Sequence, residues 1–158
     1  MKYSNLQKVV TIFLIALSLS ACGNTEKNTL AVLANPPLTI EQYITDNNIQ
    51  NAIKTKEGMY IQIEKEGSTE KPTVSNDVTI HYRGYLLDHT VFDQTDGDAR
   101  TFPLSALIAG WKIGIPYIGK GGKCKLIIPP HIGYGSRATG DIPANSILVF
   151  DIELEDFK

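Results

Sequence analysis

Asp77-Val78-Thr79-Ile80-His81-Tyr82-Arg83-Gly84-Tyr85-Leu86-Leu87 is the stretch on which the fold turns. Its Val, Ile, Tyr and Leu content matches strand preference, and His81 falls at an outward position along it. Asp88-His89 then turns the chain into Val91-Phe92-Asp93, a second extended run. Upstream, beyond Gly58, Met59, Ile61 and Ile63 alternate with Tyr60, Gln62 and Glu64, the period of a half-buried strand. The polar stretch from Lys65 to Pro72 reads as a loop. Further strands are predicted over Lys123–Ile128 and Ile147–Leu154. Between them, only the stretch around Ile108 to Ile115 suits a helix in the core, and Pro116 keeps it short. Gly119, Gly121 and Gly122 make the bend after it permissive. Antiparallel strands with one short helix over a sheet face predict an α+β domain. Without regular strand–helix alternation, a Rossmann-type sheet is not expected.

Ahead of these strands, Thr39 followed three residues later by Gln42 is a capping-box pattern. Ile40, Tyr43 and Ile44 share one helical face, so a short N-terminal helix over Thr39–Asn47 should lie against the domain. A partner-binding helix is the alternative. Residues 1–21 read as a processing signal: Lys2 and Lys8 precede the apolar run from Val9 to Leu17. That run is too short to cross a bilayer core of about 30 Å. Leu19-Ser20-Ala21-Cys22 resembles the bacterial lipoprotein box, which implies acylation of Cys22 and removal of the leader; an ordinary signal peptide or an uncut anchor is the alternative. Several acyl chains hold a membrane far more tightly than one. Residues 22–37 then read as a polar tether. Gly23 stands where an aspartate would resemble the inner-membrane retention mark. The expected location is therefore the cell envelope, anchored to the outer membrane and facing the periplasm.

The 158 residues carry a formal net charge of −2 with acids and bases interspersed, so nucleic acid is not an expected partner. With Cys22 lipidated, Cys124 has no partner for a disulfide and reads as a small buried side chain in a strand. The chain lacks GxSxG, HExxH, Walker A, CxxC and GxGxxG patterns. His81, His89 and His131 have no ligand-like spacing. Asp93, Asp96 and Asp98 crowd one loop whose spacing lacks the glycine and terminal glutamate of an EF-hand loop. Neither cofactor nor metal is expected.

What remains is a set of aromatics, Tyr82, Phe92, Phe102, Trp111, Tyr134 and Phe150, each near a glycine, proline or aspartate. Composition alone does not make them converge; ordinary core packing accounts for most of them. With Val78-Thr79-Ile80-His81-Tyr82-Arg83-Gly84, Val91-Phe92-Asp93, Leu107-Ile108-Ala109-Gly110-Trp111, Ile128-Pro129-Pro130, Tyr134-Gly135, Ile142-Pro143 and Leu148-Val149-Phe150-Asp151 in this order, the chain resembles the FK506-binding-protein (FKBP) type of peptidyl-prolyl isomerase from about Val74 to Leu154. The resemblance implies a curved antiparallel sheet wrapped around one short helix. It divides the chain into an N-terminal helix and strand extension over 38–73 and an isomerase domain over 74–158.

The resemblance also implies a ligand cleft. Trp111 would form its floor, Tyr82, Phe102 and Phe150 its aromatic walls, and Leu107 and Ile108 the rim before the helix. Phe92, Tyr134 and Ile142 belong to the same set. The Ile108 N–H and the Tyr134 hydroxyl would donate to ligand carbonyls, and Asp93 would stand at the edge. Proline-containing polypeptides are the implied partners, with an FK506-like macrolide as a further ligand and a monomer as the implied state. Such a site needs no nucleophile, because prolyl isomerisation breaks no covalent bond. A proline-binding chaperone with little turnover and a structural envelope lipoprotein are the rival expectations. Pro103 and Ser105-Ala106 depart from the family's usual approach to Ile108, and the tip from Ser136 to Asp141 is slightly short.

Overall fold

A computed structural model describes residues 38–158; the leader, Cys22 and the tether lie outside the described residues. In chain order the elements are α1 (Ile40–Asp46), β1 (Ile53–Lys54), β2 (Tyr60–Lys65), β3 (Asp77–Leu86), β4 (Val91–Gln94) and β5 (Arg100–Pro103). After a 3-10 turn over Leu104–Ala106 come α2 (Ala109–Gly114), β6 (Gly122–Ile128) and β7 (Leu148–Phe157). All strands pair antiparallel in the order β1-β2-β6-β7-β3-β4. β5 lies end to end with β4, pairing the first half of β3 on the side away from β7. The expected class, a curved antiparallel sheet with a short core helix, matches the observed architecture.

Strand alternation gives the sheet two unlike faces. Val78, Ile80, Leu126, Ile128, Leu148, Ile152 and Leu154 point inward and are at most 3% exposed. Helix α2 closes this core from above. A Cβ on Gly110 would stand 2.6 Å from Ile128 Cδ1, and one on Gly114 2.6 Å from Leu126 Cδ2. Only glycine at these two positions lets the helix seat so deeply that Trp111 reaches the sheet. Cys124 is buried in β6, where desolvation pushes its thiol up to about 12 and leaves it inert at neutral pH.

The outer face carries a second, smaller core. Tyr85, Ile127 and Val149 are covered by Ile40, Tyr43 and Ile49, so α1 packs behind the sheet rather than over its inner side. Thr39 caps α1, its hydroxyl accepting from Gln42 N at 3.1 Å. Only half the capping box forms, because the Gln42 amide turns forward and donates to Asp46 Oδ1 at 2.7 Å. The predicted helix limits shrink by one residue at each end, to Ile40–Asp46.

Several strand limits also shift. β7 runs on to Phe157, because Val78↔Phe157 and Thr79↔Asp156 pair beyond a register shift. The short β1 and β5 are additions that sequence reading did not anticipate. Leu87 drops out of β3, where Leu86 N donates to Thr90 O and closes the hairpin. His89 occupies that turn at φ 68°, a conformation easiest for glycine, and its ring stacks on Tyr85 at 5.9 Å.

Candidate functional site

Tyr82, Asp93, Phe102, Leu107, Ile108, Trp111, Tyr134 and Phe150 surround a recess of about 210 Å³. β3 supplies Tyr82, β5 supplies Phe102, α2 supplies Trp111 and β7 supplies Phe150. Edge-to-face packing fixes the rings: Trp111 lies 5.0 Å from Phe150 and 5.2 Å from Tyr82, at interplanar angles of 86° and 75°. Tyr82 meets Phe102 at 6.3 Å and 64°. Such pairs favour one ring geometry and keep the cavity from collapsing. Trp111 is 5% exposed, and its Nε1 has no hydrogen-bond partner among the described residues. A buried donor left dry costs about 1–3 kcal/mol.

Phe92 and Ile142 stand outside the eight residues that surround the recess. Phe92 stands behind Phe150 at 5.5 Å and 83°, and Ile142, 6% exposed, packs into the main core. Phe92 and Asp93 are neighbours on a strand, which would ordinarily send them to opposite faces. β4 breaks that rule with a bulge: Gly84 pairs Asp93, Tyr85 pairs Val91, and Phe92 is the extra residue. Both side chains thereby serve the cleft side. Gly84 makes the room, since a Cβ there would meet the Phe92 and Phe150 rings at 2.6 Å each.

The rim before α2 is built by its own device. Pro103, at φ −62°, leads into the 3-10 turn, whose Leu104 is fully buried and donates its N–H to Asn76 O at 3.0 Å. Leu107, in extended geometry, then donates its N–H to Leu104 O at 3.2 Å, and Ile108 follows as the N-cap of α2. Pro103 thus fits the approach to Ile108, because its fixed φ is the one the turn requires. The Ile108 N–H finds no backbone acceptor within the described residues.

One edge of the recess is polar. The Tyr82 hydroxyl donates to Asp93 Oδ2 at 2.6 Å and accepts from Arg100 Nη1 at 3.1 Å, while Arg100 and Asp93 approach to 3.7 Å. Burial, and then the Asp93 carboxylate, push the Tyr82 phenol up to about 12, so it stays protonated as a donor. Tyr134, 40% exposed at the mouth, is also raised, by burial first and then by the Asp93 charge. Nothing among the described residues pairs with its hydroxyl.

Arg100 was missed from sequence because β5 was not recognised. The available signal was its two-residue spacing from Phe102, which places both on one strand face. A wider recess of about 420 Å³ on the outer face is lined by Glu64, His81, Lys123, Lys125, Asp151 and Glu153. Its size does not make it the better site: Lys123–Glu153 and Lys125–Asp151 pair within it, and no aromatic cage frames it. Among the described residues no three His, Cys, Asp or Glu side chains gather in a metal-binding cluster. His81 pairs with Glu155 at 3.3 Å, and His131 Nε2 meets Glu57 O at 3.0 Å.

The family model described as FKBP-type peptidyl-prolyl cis-trans isomerase matches residues 68–155. FkpA of Buchnera aphidicola subsp. Schizaphis graminum, an FKBP-type peptidyl-prolyl cis-trans isomerase, is 46% identical over 115 residues, 71% of this chain and 46% of its own length. FkpA of Escherichia coli K12 is 42% identical over 112 residues, 69% of this chain and 42% of the relative. The chain therefore spans less than half the length of these curated relatives. The crystal structure of E. coli FkpA superposes with a TM-score of 0.72 at 35% identity, covering 85% of this chain and 64% of that one. A peptidyl-prolyl cis-trans isomerase from Pseudomonas syringae pv. tomato gives 0.66 at 26% identity, over 88% and 99% of the two chains. By sequence and by fold, the chain belongs to the FKBP-type peptidyl-prolyl cis-trans isomerase family.

Proposed function

We propose that this protein accelerates cis/trans rotation of Xaa-Pro bonds in exported polypeptides, using the ring-lined recess as its active site. The observation that carries this reading is the convergence of Tyr82, Phe102, Trp111 and Phe150 on one open concavity of about 210 Å³. A prolyl bond rotates over a barrier of about 18–20 kcal/mol because twisting the amide destroys its resonance. The twisted form carries less charge separation than the planar one. A dry apolar wall therefore disfavours the planar ground states relative to the twisted state.

Each residue then has a physical task. Trp111 supports the pyrrolidine ring, with Tyr82, Phe102 and Phe150 holding it edgewise. The unpaired Ile108 N–H and the Tyr134 hydroxyl are placed to donate to substrate carbonyls. Asp93 and Arg100 hold the Tyr82 phenol rather than touching the proline. No proton leaves and no covalent intermediate forms. An FK506-like macrolide, which presents a proline-like ring and carbonyls, is a ligand of the same recess.

The leader and Leu19-Ser20-Ala21-Cys22 support a lipid-anchored form at the outer membrane, facing the periplasm. The domain layout proposed with it is a leader over 1–21, a tether over 22–37, a helix and strand extension over 38–73 and the isomerase domain over 74–158. The deciding assay is exchange NMR or protease-coupled rotation of an Ala-Ala-Pro-Phe tetrapeptide with the full chain. Acceleration proportional to protein concentration is expected; none at high concentration removes the activity. For the anchor, Cys22→Ser should move the chain from the membrane to the soluble fraction, and unchanged membrane association would reject acylation at Cys22.

A further inference from the structure

We infer that the free edge of β4 is a second, backbone-reading part of the substrate site, onto which the client chain beside the proline adds as an extra strand. The inference rests on the isomerase reading above. β4 ends the sheet, and among the described residues its outer side faces no other strand. Thr95 N donates to Tyr82 O at 2.9 Å, and Tyr82 N returns a bond to the Thr95 hydroxyl at 3.1 Å, so Tyr82 and Thr95 face each other just beyond the strand. Antiparallel pairs alternate, so Gly84 and Asp93 form the next bonded pair, and Arg83 and Gln94 between them face away from each other. The N–H and C=O of Gln94 consequently point out of the sheet edge, and Gln94 is exposed.

This edge is continuous with the cleft. Asp93, the residue beside Gln94, lines the recess, and the bulge at Phe92 turns the same strand toward it. A polypeptide whose proline sits on Trp111 must leave past one side of the recess. On the Asp93 side it meets an open N–H and C=O one residue away. One client residue exchanging both bonds with Gln94 forms an ordinary antiparallel pair. Backbone pairing of this kind ignores side-chain identity, which suits an enzyme that serves many unfolded clients. It also holds the flanking chain extended while the prolyl bond turns, so the rotation stays within the recess.

The test compares a tetrapeptide with peptides lengthened by three and five residues on either side of the prolyl bond. Lengthening on one side only should lower KM about tenfold, the effect of two backbone hydrogen bonds. Replacing single amides of that flank by esters should diminish the gain at one position only, that of the residue paired with Gln94. Gln94→Pro, which deletes the outward donor without touching a ladder bond, should cut the gain to about threefold, because one of the two bonds is lost. Amide exchange at Gln94 should slow when the long peptide binds. A gain equal on both flanks, a gain insensitive to the ester positions, or a full tenfold gain in Gln94→Pro would overturn the inference. So would self-association of the chain through β4 in sedimentation, which would assign the edge to a second copy. If the tetrapeptide itself is not turned over, the isomerase reading fails; if it is turned over but length is irrelevant, only the strand-addition step fails.

Discussion

β3 carries two tyrosines, Tyr82 and Tyr85, on opposite faces of the sheet, and their surroundings are nearly the same in kind. Tyr82 contacts the Asp93 carboxylate and the Arg100 guanidinium. Tyr85 contacts the Asp151 carboxylate at 3.4 Å and accepts from Lys125 Nζ at 2.9 Å. Each phenol is pushed up to about 12, mainly by burial. Only the inner one borders an empty, ring-framed volume. The outer one is roofed by Tyr43, with Ile40 and Ile49 in the same cluster. Similar chemistry therefore borders an open recess on one face and fastens a helix on the other. What separates them is a ring-framed recess in front of one and the cover of α1 over the other.

The sharpest way to break this contrast is a pair of substitutions, one per face. Trp111→Leu keeps the cleft floor apolar but removes the flat support for the pyrrolidine ring. Turnover of a prolyl peptide should fall roughly 30- to 100-fold, the equivalent of about 2–3 kcal/mol of transition-state binding. Tyr43→Ala strips the roof from the outer core. It should lower stability by about 3–5 kcal/mol, as removal of a buried aromatic does, while kcat/KM per folded molecule stays within twofold. Peptide exchange kinetics and urea unfolding read the two effects separately. A Tyr43→Ala protein with intact stability, or a Trp111→Leu protein with intact turnover, would erase the distinction between the faces.

The sequence made the inner face readable and left most of the outer one obscure. The run from Asp77 to Leu86 announced its strand, and the aromatics could be placed through family resemblance. Resemblance puts Phe92 and Ile142 in the cleft set, but a list of residues does not reveal direction. The bulge at Phe92 shifts strand parity, and it exists only once β4 is paired. Arg-Thr-Phe-Pro, four half-polar residues, carries too little alternation to declare β5, so Arg100 went unnoticed. The apolar side of α1 was visible in Ile40 and Tyr43, but its landing place was not. Tyr85, Val149 and Ile127 form one row only through the registers Tyr85↔Val149 and Ile127↔Val149. Pairing of distant strands creates that patch, and no local window contains it.

A smaller effect sharpens the comparison by titrating the two phenols. In the unfolded chain a tyrosine ionises near 10, whereas Tyr82 and Tyr85 hold their protons to about 12 in the folded protein. A raised acid binds its proton more tightly when folded. Its contribution to stability is therefore complete below pH 10 and disappears as the pH climbs from 10 to 12. Tyr43 is raised for the same reason, burial, and acts in the same direction. Urea midpoints followed by circular dichroism should fall across this window. Tyr85→Phe should make that fall shallower by about one proton while leaving peptide KM at pH 8 unchanged, because its hydroxyl is sealed under α1. Tyr82→Phe should flatten the slope by a similar amount but also release Asp93 and Arg100 into the recess, raising KM about threefold through the lost hydrogen bond. Equal effects of the two variants on KM would mean that the outer tyrosine is coupled to the cleft through β3. The space in front of Tyr82 would then no longer be what distinguishes the faces.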